Sequence, residues 1–331
     1  MRMGFCGVAI FTVLTAAASA QPRAAQPACD RACLEGYMNR YLEAMLNRTV
    51  RDDLFARTVR FTENGIQLPL GDEGLWYGMS GLGGYRFYVP DIETQQVALI
   101  GTVKENMATH GANDDGGNNV AVAIRLKIVN DRITEIEQLV TRPQVQLGGR
   151  GGGARGAGAG AGAATPAQQT TGDRVAAMGK PHPMFFEPIP EAARASREDL
   201  VIAANHYFTA LARHDSKGYY PFTKDCVRIE NGMVSTNDCL ANFTGTSLNG
   251  IVDRIRDRRF VAVDRERGNV FAFGFFDHYR INWTWQLAEI FKIEKGMLRR
   301  VEAVFHQTPF GIPSGWSTYE RSISEEIQSI R

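Results

Sequence analysis

The sequence predicts an α+β protein made of two similar units joined by a Gly/Ala-rich linker. Three observations carry this expectation. A tract of almost pure Gly, Ala and Arg, Gly148 to Gly162, divides the chain. The same series of motifs recurs in the same order on either side of it. In each half a helical stretch precedes the strands, without the βαβ alternation of a parallel sheet. The chain has 331 residues, about two domains by the usual length prior. Its composition, 44% apolar and 22% charged, is that of a globular protein and excludes a wholly disordered or polytopic membrane chain. Lys plus Arg number 37 against 36 Asp plus Glu, so the basic excess of a nucleic-acid binder is missing.

Taken in order, residues 1–20 read as a cleavable secretory leader. Arg2 gives the positive start, Phe5 to Ala18 is apolar but short for a membrane span, and Ala18-Ser19-Ala20 is a small-x-small cleavage site. The expected location is therefore secreted or periplasmic, with no membrane association after cleavage. A first unit follows over 28–145, a flexible linker over 146–190, a second unit over 191–316 and a tail over 317–331. The linker assignment rests on composition, because Gly, Ala, Gln and Thr bury too little apolar surface to offset chain entropy.

Beyond the leader the cysteines are Cys29, Cys33, Cys226 and Cys239, an even number, which suits disulfides in an exported chain. Neighbouring pairs are Cys29 with Cys33 and Cys226 with Cys239; the connectivity stays open. Neither pair has the spacing of a zinc ribbon. Sequons at Asn47, Asn242 and Asn282 matter only in a host that glycosylates exported proteins.

The repeated motifs begin with helices around Tyr41 and Tyr207. Val59 to Gly65 and Val227 to Gly232 each end in Glu-Asn-Gly. Gly81-Leu82-Gly83-Gly84 matches Ser247-Leu248-Asn249-Gly250, and the apolar strand Val97 to Gly101 matches Val270 to Gly274. Each half closes with a hairpin, turning at Asn130-Asp131 in the first and at Lys295-Gly296 in the second.

The opening helix with its tyrosine, the Glu-Asn-Gly strand end and the hairpins Lys127-Ile128 to Ile133 and Lys292-Ile293 to Leu298 resemble the nuclear transport factor 2-like, or SnoaL-like, superfamily. The resemblance covers Cys29 to Arg142 and Ser196 to Gln307. It implies two tandem cone-shaped α+β barrels, each a curved antiparallel sheet wrapped on N-terminal helices around an apolar pocket. It also implies that the two cones pack on one another as an intramolecular pseudo-dimer. That superfamily includes cofactor-free isomerases, lyases, polyketide cyclases and epoxide hydrolases, and modules with no chemistry, so fold alone does not choose among them.

A two-residue turn at Lys295-Gly296 places Glu294 opposite Met297. Unbroken counting then sets Glu289 opposite Glu302, Leu287 opposite Val304 and Trp285 opposite His306, all on one face. In the first half the matching face carries Val122, Ile124, Leu126, Glu137 and Leu139, and Arg125, Lys127, Thr134 and Gln138 on the other suit solvent. Facing carboxylates in an apolar wall raise one another's pKa toward neutrality, as general acid/base work requires. The expected catalytic residues are therefore Glu289, Glu302, His306 and, at the end of the neighbouring strand, His278. Tyr207, Trp285, Phe271, Phe273 and Arg228 are expected to line the substrate cavity.

Each assignment has a plainer alternative. Glu302 has Glu137 as its counterpart and reads equally as a structural group pairing with Arg60 or Arg228. The aromatics read equally as core. Arg254, Arg256, Arg258 and Arg259, interleaved with Asp253 and Asp257, read as a solvated helix or turn. The tail segment Thr308 to Trp316 is expected to dock one half on the other. No Walker A loop, Gly-x-Ser-x-Gly elbow, His-Glu-x-x-His or Rossmann fingerprint occurs, so no metal, nucleotide or flavin is expected. The function expected is a cofactor-independent lyase or isomerase acting on a small apolar, aromatic or polyketide-like molecule. A non-catalytic binding or scaffold protein is the alternative. An epoxide hydrolase, which needs an acid beside an arginine such as Arg228, is a weaker one.

Overall fold

A computed structural model describes residues 28–108, 116–143, 169–213, 217–244, 252–318 and 325–329. The expected leader and the Gly/Ala/Arg tract lie outside the described residues. In the first unit α1 (Arg31–Leu46) is followed by β1 (Phe55–Glu63), β2 (Ile66–Gln67), α2 (Leu75–Gly78), β3 (Met79–Asp91), β4 (Gln96–Glu105), β5 (Asn118–Val129) and β6 (Arg132–Thr141). After α3 (Thr171–Ala177) the second unit runs α4 (Arg197–Arg213), β7 (Phe222–Glu230), β8 (Met233–Thr236), α5 (Cys239–Thr244), β9 (Arg254–Asp264), β10 (Asn269–His278), β11 (Trp283–Glu294) and β12 (Met297–Pro309). A short β13 (Ile327–Ser329) comes from the tail.

The two sheets repeat one order. The first is β2-β1-β6-β5-β4-β3, and the second is β8-β7-β12-β11-β10-β9 with β13 added at the β9 edge. In each, the first long strand lies parallel to the last strand of the hairpin; β13 also runs parallel to β9, and the remaining pairings are antiparallel. The turns follow from their residues. Asn64-Gly65, Asn130-Asp131, Asn231-Gly232 and Lys295-Gly296 all have positive φ at both positions, the conformation that closes a two-residue hairpin.

Each long helix lies along one face of its sheet because its apolar residues recur at helical spacing. On α1 these are Leu34, Tyr37, Met38, Tyr41, Leu42 and Met45; on α4 they are Leu200, Val201, Ala204, Tyr207, Phe208 and Leu211. Asp30 caps α1 through the Cys33 amide at 2.9 Å, and Ser196 caps α4 through the Asp199 amide at 3.1 Å. Cys29–Cys33 and Cys226–Cys239 are disulfides, the second tying β7 to α5.

The far faces of the two sheets pack against each other. Tyr85, Phe87, Ile100, Ala123 and Leu139 of the first meet Val261, Phe271, Phe273, Ile290 and Val304 of the second in one apolar cluster. The strands of the two sheet centres are thus buried on both faces, which explains why β10 reads as a near-continuous apolar run. This corrects the expectation that Arg125 and its neighbours face solvent: Arg125 is buried and pairs with Glu135 at 2.5 Å.

Segments expected to be loose take part in this contact. Residues 171–177 of the expected linker form α3, and Val175 and Phe185 enter the cluster between the sheets. From the tail segment, Trp316 Nε1 donates to Thr62 Oγ1 at 2.7 Å, docking this end of the second half on the first as expected. Nor do the arginines around 254–259 form a solvated turn. They lie on β9, where Arg256 binds Asp277 at 2.9 Å and Arg259 reaches Glu137 of the first unit at 2.6 Å, both inside the protein.

Candidate functional site

The hairpin register decides which side chains enter the second unit's concave core. Glu294 does face Met297, but an irregularity follows: Ile293 pairs with Leu298 and Lys292 with Arg300, leaving Arg299 as an extra residue. Beyond it Glu289 faces Ala303, Leu287 faces Phe305 and Trp285 faces Gln307. One inserted residue moves every later side chain of β12 to the other face. The first hairpin carries the same bulge at Thr134, which turns Gln138 inward and Glu137 and Leu139 outward.

Glu302 and His306 therefore stand on the face between the sheets, apart from Glu289. Glu302 accepts a hydrogen bond of 2.5 Å from the Tyr85 hydroxyl of the first unit and lies 3.4 Å from Arg300 Nε. Its expected pairing with Arg60 or Arg228 does not occur. His306 Nε2 lies 3.2 Å from Gln286 Oε1; burial, reinforced by the Arg142 charge, pushes its pKa down to about 4, so the ring is neutral at physiological pH. Phe271 and Phe273 also belong to the cluster between the sheets and do not line the concave core. Their strand alternates, and the inward residues of β10 are Val270, Ala272 and Phe276.

His278 is inward, as expected, with its ring 4.4 Å from that of Trp285, which in turn lies 5.0 Å from Phe305. It belongs to the far end of the sheet. Ala272, not His278, faces Glu289, and six residues of strand separate the two, roughly 20 Å at about 3.3 Å per residue. Asp277 points to the opposite face and holds Arg254, Arg256 and Thr284, so it does not orient His278.

The structure brings together Tyr207, Arg228 and Glu289. Tyr207 is fully buried on the inner stripe of α4, with Phe243, Phe291, Phe208 and Phe222 rings at 4.9, 5.2, 5.8 and 6.3 Å. Glu289 is 2% exposed. Glu289 Oε2 and the Tyr207 hydroxyl meet no partner at full hydrogen-bond geometry among the described residues, but the two groups lie close enough for the phenol to interact with the carboxyl. Burial and the nearby Glu230 charge raise the Glu289 pKa to about 8, while Arg228 and the Tyr207 hydroxyl oppose the shift. Burial likewise raises the Tyr207 phenol well above its ordinary value. Arg228, buried on β7, is held by Glu230 at 3.0 Å, Ser235 at 3.1 Å and Asn242 at 2.9 Å, with its guanidinium 5.3 Å from the Phe243 ring. Among these, Glu230 was visible in the sequence only as part of the repeated Glu-Asn-Gly motif.

Such a group can exchange a proton near neutral pH. A carboxyl poised near 8 is mostly protonated at pH 7 and keeps an ionised fraction of about a tenth. Arg228 supplies fixed positive charge for an anion forming beside it.

A domain of unknown function, DUF8021, matches residues 193–305, about a third of the chain. No curated protein matches the sequence. Among solved structures, the chain is similar to a de novo designed protein with a curved β-sheet (14% identity, TM-score 0.27, covering 34% of this chain and 88% of that one). It is also similar to a protein of unknown function with a cystatin-like fold from Methylobium petroleophilum PM1 (15% identity, TM-score 0.28, covering 35% and 80%).

Proposed function

We propose that the chain is an exported tandem pair of SnoaL-like cones, in which the second acts as a cofactor-independent lyase or isomerase on a small apolar, aromatic or polyketide-like molecule. Glu289 is the group that moves the proton. Arg228 and the Tyr207 hydroxyl steady the negative charge that develops. The two disulfides support the extracytoplasmic setting.

One observation carries this reading. At the register positions where the first unit has Phe61 and Ile124, the second has Arg228 and Glu289. Two apolar core positions are taken by a buried cation and a buried carboxyl whose Oε2 has no partner at full hydrogen-bond geometry among the described residues, an arrangement that stability alone does not favour. The same acid-beside-arginine pair keeps an epoxide substrate in view.

A binding or scaffold role is the second reading, favoured by the four phenylalanine rings packed around Tyr207. The test is a panel of aromatic, polyketide-like and epoxide compounds incubated with the disulfide-bonded protein and with Glu289→Gln. Turnover reduced about 10²- to 10⁴-fold in the variant is expected for a proton-transfer residue. Turnover equal in both removes Glu289 from the mechanism, and binding without conversion favours the scaffold.

A further inference from the structure

A second candidate site lies between the units, on the far side of the sheet from Glu289. It is a cleft of about 780 Å³ lined by β3, β7, β12 and the segment after α3. That volume is in the range of small-molecule sites. We propose that this cleft binds a small organic anion with a flat apolar body.

The lining supports both halves of that description. Arg86, Lys180 and Arg300 border the cleft, and Met178, Phe186 and Ile229 give it an apolar wall. Glu302 is its acidic residue, already engaged by the Tyr85 hydroxyl and by Arg300. Arg86 donates to the neutral Asn39 side chain at 3.2 Å, and neither Arg86 nor Lys180 has a carboxylate partner among the described residues. His182 is also in the lining, and burial, with the nearby Arg300 guanidinium, disfavours its charged form. The cleft therefore holds more fixed positive charge than negative, and an anion would relieve it.

The repeat indicates the shape. Ile229 lies opposite Glu302, as Thr62 lies opposite Glu137. At Thr62 the chain supplies its own aromatic ring, the Trp316 indole, with the Arg60 guanidinium 4.1 Å from its centre. At Ile229 no described residue takes the place of that indole, and the cleft offers comparable surroundings, a flat apolar wall with guanidinium groups beside it.

Isothermal titration of the full disulfide-bonded chain with 4-phenylbutyrate, 4-phenylbutanamide and inorganic phosphate tests this. The acid should bind one to one, with the amide and phosphate each weaker by about tenfold or more, the size of one lost charge-assisted contact. Arg86→Gln with Lys180→Met should weaken the acid by about tenfold or more, and neither substitution touches the Tyr85–Glu302 contact or the concave core. No binding of the acid overturns the proposal. So does an amide that binds as tightly, which would mark a merely apolar cleft, or phosphate that binds as tightly, which would mark a bare ion site. Unchanged affinity in the double variant overturns it as well. None of these outcomes depends on Glu289, so the proposed reaction stands or falls separately.

Discussion

The polar groups inside the two units make opposite use of the same scaffold. In the first, the Tyr41 hydroxyl donates to Gln138 at 2.8 Å and accepts from Trp76 at 3.2 Å. Gln138 donates to Glu63 at 2.7 Å, and Glu63 also takes the Leu75 amide at 2.8 Å and Arg142 at 2.7 Å. Arg142 is shared with Glu105. In the second, Ala303 stands at the Gln138 position, and Glu289 brings the carboxyl in from the neighbouring strand. The Tyr207 hydroxyl and Glu289 Oε2 lie near each other with no further partner among the described residues. Closed networks rigidify a core, whereas buried groups left short of partners reduce stability and remain available to a ligand. Two units of one topology thus differ in how completely their buried polar groups are paired.

The largest expected effect tests the closed network. Glu63→Ala should destabilise the protein by about 3–5 kcal/mol, because it strips Arg142, Gln138 and the Leu75 amide of a buried partner. Glu230→Ala, its partly exposed counterpart, should cost less, about 1–3 kcal/mol, because the buried Arg228 keeps Ser235 and Asn242 as partners. Urea unfolding of both variants checks this, and equal losses would break the comparison.

Next comes Glu289. Its folded pKa, about 8, lies above the ordinary 4.5, so the folded state holds a proton that the unfolded chain gives up. The native protein should therefore lose stability as pH rises from about 4.5 through about 8. Glu289→Gln should remove that slope and be more stable by about 2–4 kcal/mol at high pH. Unfolding curves measured at acid and alkaline pH decide the sign; a parallel slope in the variant would place the titrating group elsewhere.

A third pair of effects concerns the disulfides. Replacing Cys226 and Cys239 by Ala should cost about 3 kcal/mol, and replacing Cys29 and Cys33 about 2, since the enclosed separations are 13 and 4 residues. Thermal unfolding ranks them, and a reversed order would show that the first unit depends more on its bridge than loop length implies.

Much of this was legible from residues alone. Helices built around Tyr41 and Tyr207, the Asn-Asp and Lys-Gly turns and the inward direction of Glu289, Tyr207, Trp285 and His278 all follow from local periodicity. Glu302 and His306 were placed on the wrong face by a single event, the extra residue at Arg299. Nothing in Ile293 to Arg300 announces that bulge, because its geometry is set by how the strands twist and pair. Phe271, Phe273 and Arg256 were misplaced for another reason. A strand buried on both faces has no solvent side by which to tell its inner face from its outer one.

Local patterns and composition suffice for the α+β class, the two similar units and the residue types available to each core, since these are short-range properties. Tertiary structure alone decided which ionisable groups meet. A carboxyl's partners and pKa depend on register, on the sheet laid across the opposite face and on the water those layers exclude, and each of these is a property of residues far apart in the chain.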